Sequence, residues 1–347
     1  MTTRTFKRPL CAFAAMAGCV FSVPHAQAQS PEEFYKGKTV TITVGAGAGG
    51  GYDTIARVVQ RHLAPYIPGK PTVIVQNMPG GGGLRAPNYL YTVAEKTGLN
   101  IGLIQFSMPF EPLIGNKNAT FDPTKFGWLG SPGVETGVLM VWHTAPALTL
   151  KDLQEKEITV GVEAQASNPA MSSRMLMQVF GLKLKLVAGY SGSNAALLAM
   201  EKGEVHAFPN VYNSMMAQRP AWVRDQKVAL PIKWGPINES GLPGVPYAED
   251  IVTDPQKKAI LAGVSATLAL GRPFAAPPDI PADRLDALRT AFMATFRDSE
   301  FAADAKKVGF AELQPQSGAA LEKVIREAYA SPPDVIEQLK YIFTGEK

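Results

Sequence analysis

The sequence predicts an α/β protein with mainly parallel sheets, arranged as two lobes joined by a hinge. Strand-like and helix-like segments alternate through most of the chain after residue 28, an order typical of parallel sheets covered by helices. A strand that runs into a glycine- or serine-rich turn and then a helix occurs once in each half of the chain. The chain has 347 residues, of which 46% are apolar, so it is long enough to form two compact cores.

Runs of β-branched and apolar residues bounded by glycine, proline or asparagine predict the strands. In chain order these are Thr39–Val44, Thr72–Gln76, Ile101–Ile104, Val138–Trp142, Ile158–Val162, Leu184–Val187, Val205–Phe208 and Val228–Lys233. Apolar residues at helical spacing predict the helices. These are Thr54–Leu63, Ala86–Ala94, Leu150–Lys156, Ala170–Phe180, Ala195–Lys202, part of Pro255–Ala269, Ala282–Arg297, Gly318–Ala330 and a last short helix after Ser331.

The order of these segments predicts how the two lobes divide the chain. Residues 29–140 and 233–347 are expected to form lobe I, and residues 141–232 lobe II. The hinge is expected where the chain crosses between them, near Val141 and near Lys233. The tract from Trp234 to Pro246 is rich in proline and glycine and is expected to connect segments over the surface.

The first 28 residues are typical of a secretory signal peptide. Three basic residues precede an apolar run from Leu10 to Val23, and Ala26-Gln27-Ala28 provides small residues for cleavage after Ala28. A lipoprotein signal with an acylated Cys19 is a weaker alternative. Both cysteines lie in this segment, so the exported product is expected to contain no disulfide.

The charge balance argues against a nucleic-acid partner. Without the three basic residues of the signal segment, the remaining Lys and Arg of the original 34 exceed the 30 Asp and Glu by one. A strongly basic surface is the usual sign of polyanion binding. The sequence therefore predicts an exported protein without nucleic acid as a partner.

The turn from Gly45 to Asp53 has the chemistry of an anion site. A helix start carries unpaired N–H groups and partial positive charge, and glycines let a ligand approach the backbone. The motif GAGAGG matches a dinucleotide-binding pattern, but the next strand ends at Asn77 without the acidic residue that holds a ribose. Asp53 has two interpretations that the sequence leaves open: it stabilises the helix dipole, or it orders water or a ligand donor.

Catalytic patterns are weak. His62, His143 and His206 are far apart and lack metal-ligand spacing, and the turn Gly189–Ser193 lacks the last glycine of a nucleophile elbow. No cofactor, no metal and no enzymatic activity are predicted, and an exported hydrolase acting on a small ester is the alternative. Arg85 and Arg174 are candidates for a second ligand carboxylate, although surface ion pairs are the simpler expectation.

Several stretches together resemble the Bug/TctC family, the substrate-binding receptors of tripartite tricarboxylate transporters. They are VTITVGAGAGGGYDTIAR, IPGKPTVIVQNMPGGGGLRAPNYLY, GYSGSNAALLAMEKGEVHAF, ESGLPGVP and GRPFAAPPDIPADRLDALRTAF. They span nearly the whole chain after residue 28. Two departures from the family pattern concern the ligand more than the fold: His206 follows GEV, and EAQASNPAMSS replaces a Thr/Ser-rich loop.

The resemblance implies a periplasmic binding protein of the Venus-flytrap type that closes on a small organic anion, commonly a carboxylate. It implies membrane transporter subunits as partners, and a monomeric receptor is expected. The ligand-binding residues that it implies are Ala46, Gly47, Gly49, Gly50, Gly51, Tyr52, Asp53, Thr54, Gln105, Ala164, Ser167, Asn168, Ser191, Ser193, Asn194, Ala195 and Asn210.

Overall fold

A computed structural model describes residues 1–3, 5, 29–310 and 313–345. The predicted cleavage site after Ala28 and the alternative lipidation site at Cys19 lie outside these residues. Within the described part, no helix combines the length and the apolar character needed to cross a bilayer.

The first sheet has six strands in the spatial order β12-β4-β11-β3-β1-β2. Strands β1, β2 and β3 pair in parallel, whereas β11 and β12 run antiparallel to their neighbours. The strands are β1 (Thr39–Val44), β2 (Thr72–Asn77), β3 (Asn100–Leu103), β4 (Gly127–Ser131), β11 (Phe274–Ala276) and β12 (Gln316–Ser317).

The second sheet has the order β10-β5-β8-β6-β7, with β9 also paired to β5. Strands β6, β7 and β8 pair in parallel, and β5 is antiparallel to β8, β9 and β10. The strands are β5 (Gly137–Trp142), β6 (Ile158–Val162), β7 (Leu184–Ala188), β8 (Ala207–Val211), β9 (Val228–Ala229) and β10 (Lys233–Trp234). The predicted α/β fold with two sheets is confirmed.

Helices cover the sheets and fill the connections. They are α1 (Pro31–Tyr35), α2 (Gly51–Leu63), α3 (Arg85–Thr92), α4 (Leu150–Glu155), α5 (Asn168–Phe180), α6 (Ser193–Glu201), α7 (Tyr212–Gln218), α8 (Ala221–Arg224), α9 (Ala248–Ile251), α10 (Pro255–Ala269), α11 (Ala282–Arg297), α12 (Ser299–Lys307), α13 (Gly318–Tyr329) and α14 (Pro333–Thr344). Helix α13 packs on β4 of the first sheet, whereas α10 and α14 pack on α5 beside the second.

The strands that the sequence did not predict are the antiparallel ones in the first sheet. Strand β4 has the sequence GWLGS, and β11 is only three residues long and follows a proline. Glycine within a strand and proline beside it weaken the local signal, so these strands form because their neighbours in the sheet supply the pairing. Strand β8 also begins and ends later in the chain than the predicted strand Val205–Phe208.

The passages between the sheets differ from the predicted hinge. Val141 pairs with Ala207 and Lys233 pairs with Val138, so both predicted hinge residues lie inside the second sheet. The chain instead crosses from the first sheet to the second after Ser131, and it returns to the first sheet just before β11. These two crossing segments are the passages between the sheets. The predicted limits of the two lobes stay a prediction, because strand pairing alone does not divide the chain into separate bodies.

A buried ion pair joins these two passages. Arg272 Nε lies 2.6 Å from Glu135 Oε1, and the two side chains are 1% and 3% exposed. The guanidinium also donates to Ser214 Oγ at 2.7 Å. It stacks between the rings of Tyr52 and Phe310, at 4.6 and 4.9 Å from their centres. Arg272 lies in the second passage. Its side chain therefore connects that passage to the first one, through Glu135, and to helices α2 and α7, through Tyr52 and Ser214.

We expect Arg272→Met to lower the free energy of unfolding by about 3–5 kcal/mol, because the substitution leaves Glu135 buried without its counter-charge. Urea unfolding of the two proteins measures the difference. Arg61→Met is a suitable control: Arg61 is half exposed in its pair with Asp304, and its loss should cost only about 0–1 kcal/mol. Equal effects of the two substitutions would contradict the role given to Arg272.

Candidate functional site

The first glycine-rich turn leads directly into α2, which begins at Gly51, three residues before the predicted start. Gly49 has a φ of +75°, in the left-handed region that glycine adopts without strain. Its N–H donates to Asp53 Oδ2 at 2.9 Å. The turn is therefore closed by a side chain from the first turn of its own helix.

The contacts of Asp53 indicate a structural role. Its carboxylate is 2.9 Å from the Arg57 guanidinium and accepts the Gly49 N–H, and its side chain lies outside the cavity described below. Burial alone would raise the Asp53 pKa, but hydrogen bonds from Arg57 and Gly49 outweigh it and lower that pKa below its usual range. Of the two interpretations left open by the sequence, the stabilisation of the turn and helix start is the one that these contacts favour.

The second sheet contributes two loops at the carboxyl ends of its parallel strands. After β7, the turn at Ser191 and Gly192 leads into α6, with Gly192 as the cap residue. After β6, the loop 163–167 leads into α5, and Ser167 Oγ donates to the Ala164 carbonyl at 2.6 Å. Ligands of α/β proteins usually bind at this end of the strands.

Glycines allow the loops of the two sheets to approach each other closely. A Cβ added to Gly47 would lie 3.0 Å from the Ser191 carbonyl oxygen, and one added to Gly50 would lie 3.0 Å from Ser193 Oγ. Gly82, with a φ of +67°, approaches the backbone of Ala166 in the same way. The turn before α2 and the turn before α6 therefore lie against each other, with tight contacts at Gly47 and Gly50.

An enclosed cavity, the inner compartment, lies behind these turns and has a volume of about 50 Å³. This volume accommodates a few water molecules. A more open outer compartment of about 250 Å³ lies beside it and is also lined by the glycine loop 80–83. Ala46, Gly47, Gln105 and Glu163 line both. They therefore form one continuous lining between the two compartments.

The predicted site residues divide into three groups. Those that line the inner compartment are Ala46, Gly47, Gly50, Gly51, Tyr52, Gln105, Asn168, Ser193 and Asn210. Ala164 and Ser191 line the outer compartment. The remaining six, Gly49, Asp53, Thr54, Ser167, Asn194 and Ala195, lie in the same turns and helix starts but line neither compartment.

Several lining residues were not predicted. They include the apolar Pro169, Val211 and Leu268, and the polar Glu163, Ser172 and Ser214. The position of Glu163 in the site could have been predicted from the sequence, because Glu163 directly follows the predicted strand Ile158–Val162 and precedes Ala164, a predicted site residue. The positions of Ser214 and Leu268 could not have been predicted in this way, because the two residues lie on helices whose position relative to the turns depends on tertiary packing.

The polar groups of the inner compartment are largely fixed by internal hydrogen bonds. Gln105 Nε2 donates to the Gly45 carbonyl at 2.8 Å, and the Tyr52 hydroxyl accepts the Phe106 N–H at 3.1 Å. Ser107 and Asn168, one from each side of the cavity, are joined by a hydrogen bond between their side chains. These bonds hold the lining groups in place before any ligand binds.

No Lys, Arg or His side chain of the described residues lines either compartment. The two arginines suggested by the sequence lie elsewhere. Arg85 is exposed, whereas Arg174 is 4% exposed and donates to the carbonyl oxygens of Ile342, Phe343 and Gln165. Arg174 therefore forms neither a ligand contact nor the surface ion pair expected for it, because it binds the end of α14.

One group of described side chains could hold a metal ion. His62, Asp298 and Glu300 offer ligand atoms within 4.8 Å of one another. His62 Nε2 is also 3.1 Å from Asp304 Oδ2, so a partner already faces that nitrogen. None of these residues lines either compartment.

No protein-family model and no curated protein matches the sequence. Solved structures do match. The periplasmic binding protein BugD aligns with a TM-score of 0.71 and 19% identity, over 89% of this chain and 99% of its own. The chain has the fold of a periplasmic binding protein. MatC from Rhodopseudomonas palustris, with bound malate, aligns with a TM-score of 0.68 and 19% identity, over 86% of this chain and 99% of its own.

A further protein from R. palustris, determined with adipate, aligns with a TM-score of 0.68 and 17% identity. The alignment covers 87% of this chain and 97% of that protein. These likenesses extend over both sheets, so the two-sheet arrangement around the cavity is the arrangement of this class of binding proteins.

We expect Asp53→Asn to lower the free energy of unfolding at pH 7 by about 1 kcal/mol, because it removes the charge that pairs with the half-exposed Arg57. The Asp53 pKa is depressed in the folded state, so this contribution is present above its unfolded value of about 3.9 and is lost as the pH falls through the folded value. Urea unfolding at pH 7 and pH 3 tests both points.

The exposed pair of Asp279 with Lys96 provides a control. Asp279→Asn should change the unfolding free energy little at either pH. If Asp53→Asn were as stable as the unchanged protein at pH 7, the closure of the turn would not depend on this carboxylate.

Proposed function

We propose that this protein is an exported, monomeric solute-binding receptor that captures a small organic carboxylate between its two sheets. The proposal depends mainly on one observation: a glycine-rich turn that starts a helix lies against a second such turn, and residues of both turns line one cavity. The solved structures with malate and adipate support the choice of ligand class, because they belong to proteins of the same fold.

The carboxylate would be held chiefly by the protein backbone. Gly51 and Tyr52, the first residues of α2, line the inner compartment. A helix N-terminus carries unpaired N–H groups and partial positive charge, which favour an anion. Arginine clamps are not available, since no cationic side chain of the described residues lines the cavity. Recognition through N–H groups and side-chain hydroxyls makes close approach necessary, which explains the glycines at these positions.

Ligand entry requires the two sides to separate. The inner compartment of about 50 Å³ lies behind turns that are in contact, so the arrangement corresponds to a closed receptor. We place the hinge at the two passages between the sheets, on either side of the Arg272–Glu135 pair. Rotation about a few backbone positions is the usual way in which binding proteins of this kind close around a ligand.

The receptor would act in the periplasm and deliver its ligand to membrane subunits of a tripartite tricarboxylate-type transporter. The signal-like first 28 residues and the shared fold support this location and partner. Hydrolysis of a bound ester is disfavoured, because no histidine of the described residues lines either compartment to serve as a base.

Thermal melting of the exported protein against a panel of small organic acids tests this proposal. A ligand at 100 times its dissociation constant adds about 2.7 kcal/mol to the free energy of unfolding, which raises the midpoint measurably. We expect at least one class of carboxylates to produce such a shift. A panel without any shift would remove the carboxylate assignment.

We expect Gly47→Ala to weaken binding of the acid found in this panel by about tenfold, because its Cβ must lie 3.0 Å from the Ser191 carbonyl oxygen in the closed state. Isothermal titration calorimetry measures the change. Gly192→Ala is the matched control, since its Cβ meets Gly47 Cα and N at ordinary contact distances of 3.6 and 3.7 Å. Equal affinities for the two variants would place the ligand-bound turns farther apart than they are here.

A further inference from the structure

Glu163 has a special position in the cavity. It directly follows β6, and it lines both the inner and the outer compartment. Its own carbonyl accepts the Gly189 N–H at 3.3 Å, which fixes its backbone against the turn after β7. The side chain is half-buried, and its carboxylate lies where a ligand would pass from one compartment to the other.

The Glu163 carboxylate already occupies the second helix start. It lies near the backbone N–H of Ser193, the first residue of α6, and this N–H lowers the Glu163 pKa. This is the position that the sequence predicted for a ligand carboxylate. At the α2 turn, the Asp53 carboxylate takes the Gly49 N–H from outside both compartments, which leaves Gly50, Gly51 and Tyr52 to face a ligand in the inner compartment. At the opposite turn, the carboxylate of the protein belongs to Glu163, a residue of the lining itself.

This carboxylate has no counter-charge. Burial raises the Glu163 pKa to about 7, opposed only by the Ser193 N–H. The other titratable side chains that line the compartments are Tyr52 and Tyr190, and burial raises the pKa of both, so both are neutral near pH 7.

The charged and titratable groups on the surrounding elements are engaged elsewhere. Asp53 pairs with Arg57 on α2, and Glu201 of α6 pairs with Arg219. Arg174 on α5 binds backbone carbonyls, Lys185 on β7 is exposed, and His206, before β8, contacts Thr159. None of them lines either compartment.

The geometry points to Glu163 as a specificity-determining residue that selects ligands with both a carboxylate and an ammonium group, namely amino acids. This inference rests on the proposed receptor function. The ligand carboxylate would lie at the start of α2, and its ammonium group would lie against Glu163. A dicarboxylate would instead place its second anionic end against a protein carboxylate, and like charges in an interface are strongly disfavoured.

Proton linkage distinguishes these two ligand classes. An ammonium group next to Glu163 lowers the Glu163 pKa, so binding near pH 7 releases a proton. Affinity for an amino acid should then be full above about pH 7 and fall as the pH drops below it. A carboxylate without an ammonium group would bind the protonated form of Glu163 and show the opposite dependence.

The test compares amino acids with their desamino analogues: alanine with propionate, aspartate with succinate, glutamate with glutarate, and phenylalanine with 3-phenylpropionate. Isothermal titration calorimetry at pH 6 and pH 8, in buffers of different ionisation enthalpy, gives both affinity and proton release. We expect at least one amino acid to bind about tenfold or more tightly than its analogue, with a larger proton release at pH 6 than at pH 8.

Glu163→Gln keeps an acceptor for the Ser193 N–H but removes the charge. It should abolish the preference for the amino acid and the proton release, while leaving the melting temperature of the free protein nearly unchanged. Glu111→Gln is the matched control. Burial also raises the Glu111 pKa to about 7, and Glu111 contacts Asn116 outside both compartments, so this substitution should change neither quantity.

The outcomes separate the two proposals. If a desamino analogue binds as tightly as its amino acid, or more tightly, the role of Glu163 is overturned and the carboxylate receptor stands. A preference for amino acids that survives Glu163→Gln overturns it as well. If no member of any pair binds, the carboxylate receptor itself fails, and the inference about Glu163 fails with it.

Discussion

The ion pair of Arg272 with Glu135 is the constraint on which the arrangement of the two sheets depends. It lies where the chain leaves the first sheet and where it returns, and both side chains are almost fully buried. Removing either charge would leave the other without compensation in a medium that solvates it poorly. Because Arg272 also stacks on Tyr52 and donates to Ser214, the same contact supports two walls of the inner compartment.

Close contact between backbone segments shapes the cavity where the two turns meet. Three positions, Gly47, Gly50 and Gly82, allow loops from opposite sheets to approach within van der Waals distance. Glu163 is the one formally charged side chain of the described lining, among hydroxyl, amide and apolar groups. A site of this kind discriminates by where its few polar groups lie, and a change of one side chain can change the class of ligand.

The parts of the fold that the sequence predicted are those with local signals. The parallel strands β1, β2 and β6 and the turn before α2 have clear β-branched and glycine patterns, and they occur as expected. The antiparallel β4 and β11 were missed because glycine and proline obscure them. The predicted hinge residues Val141 and Lys233 lie within paired strands, because pairing between distant segments decides where the chain crosses between the sheets. In the site, the turns were predictable, whereas Ser214 and Leu268 depend on the packing of helices far apart in sequence.

Arg174 couples the end of α14 to the loop before α5. Its guanidinium donates to the carbonyl oxygens of Ile342 and Phe343 and to the backbone and side-chain oxygens of Gln165. Gln165 neighbours Ala164, which lines the outer compartment. Truncation of the last turn of α14, or a tag fused to it, would therefore be expected to displace the loop that lines the outer compartment. For experiments on this protein, an affinity tag between residue 28 and α1 is preferable to one following α14.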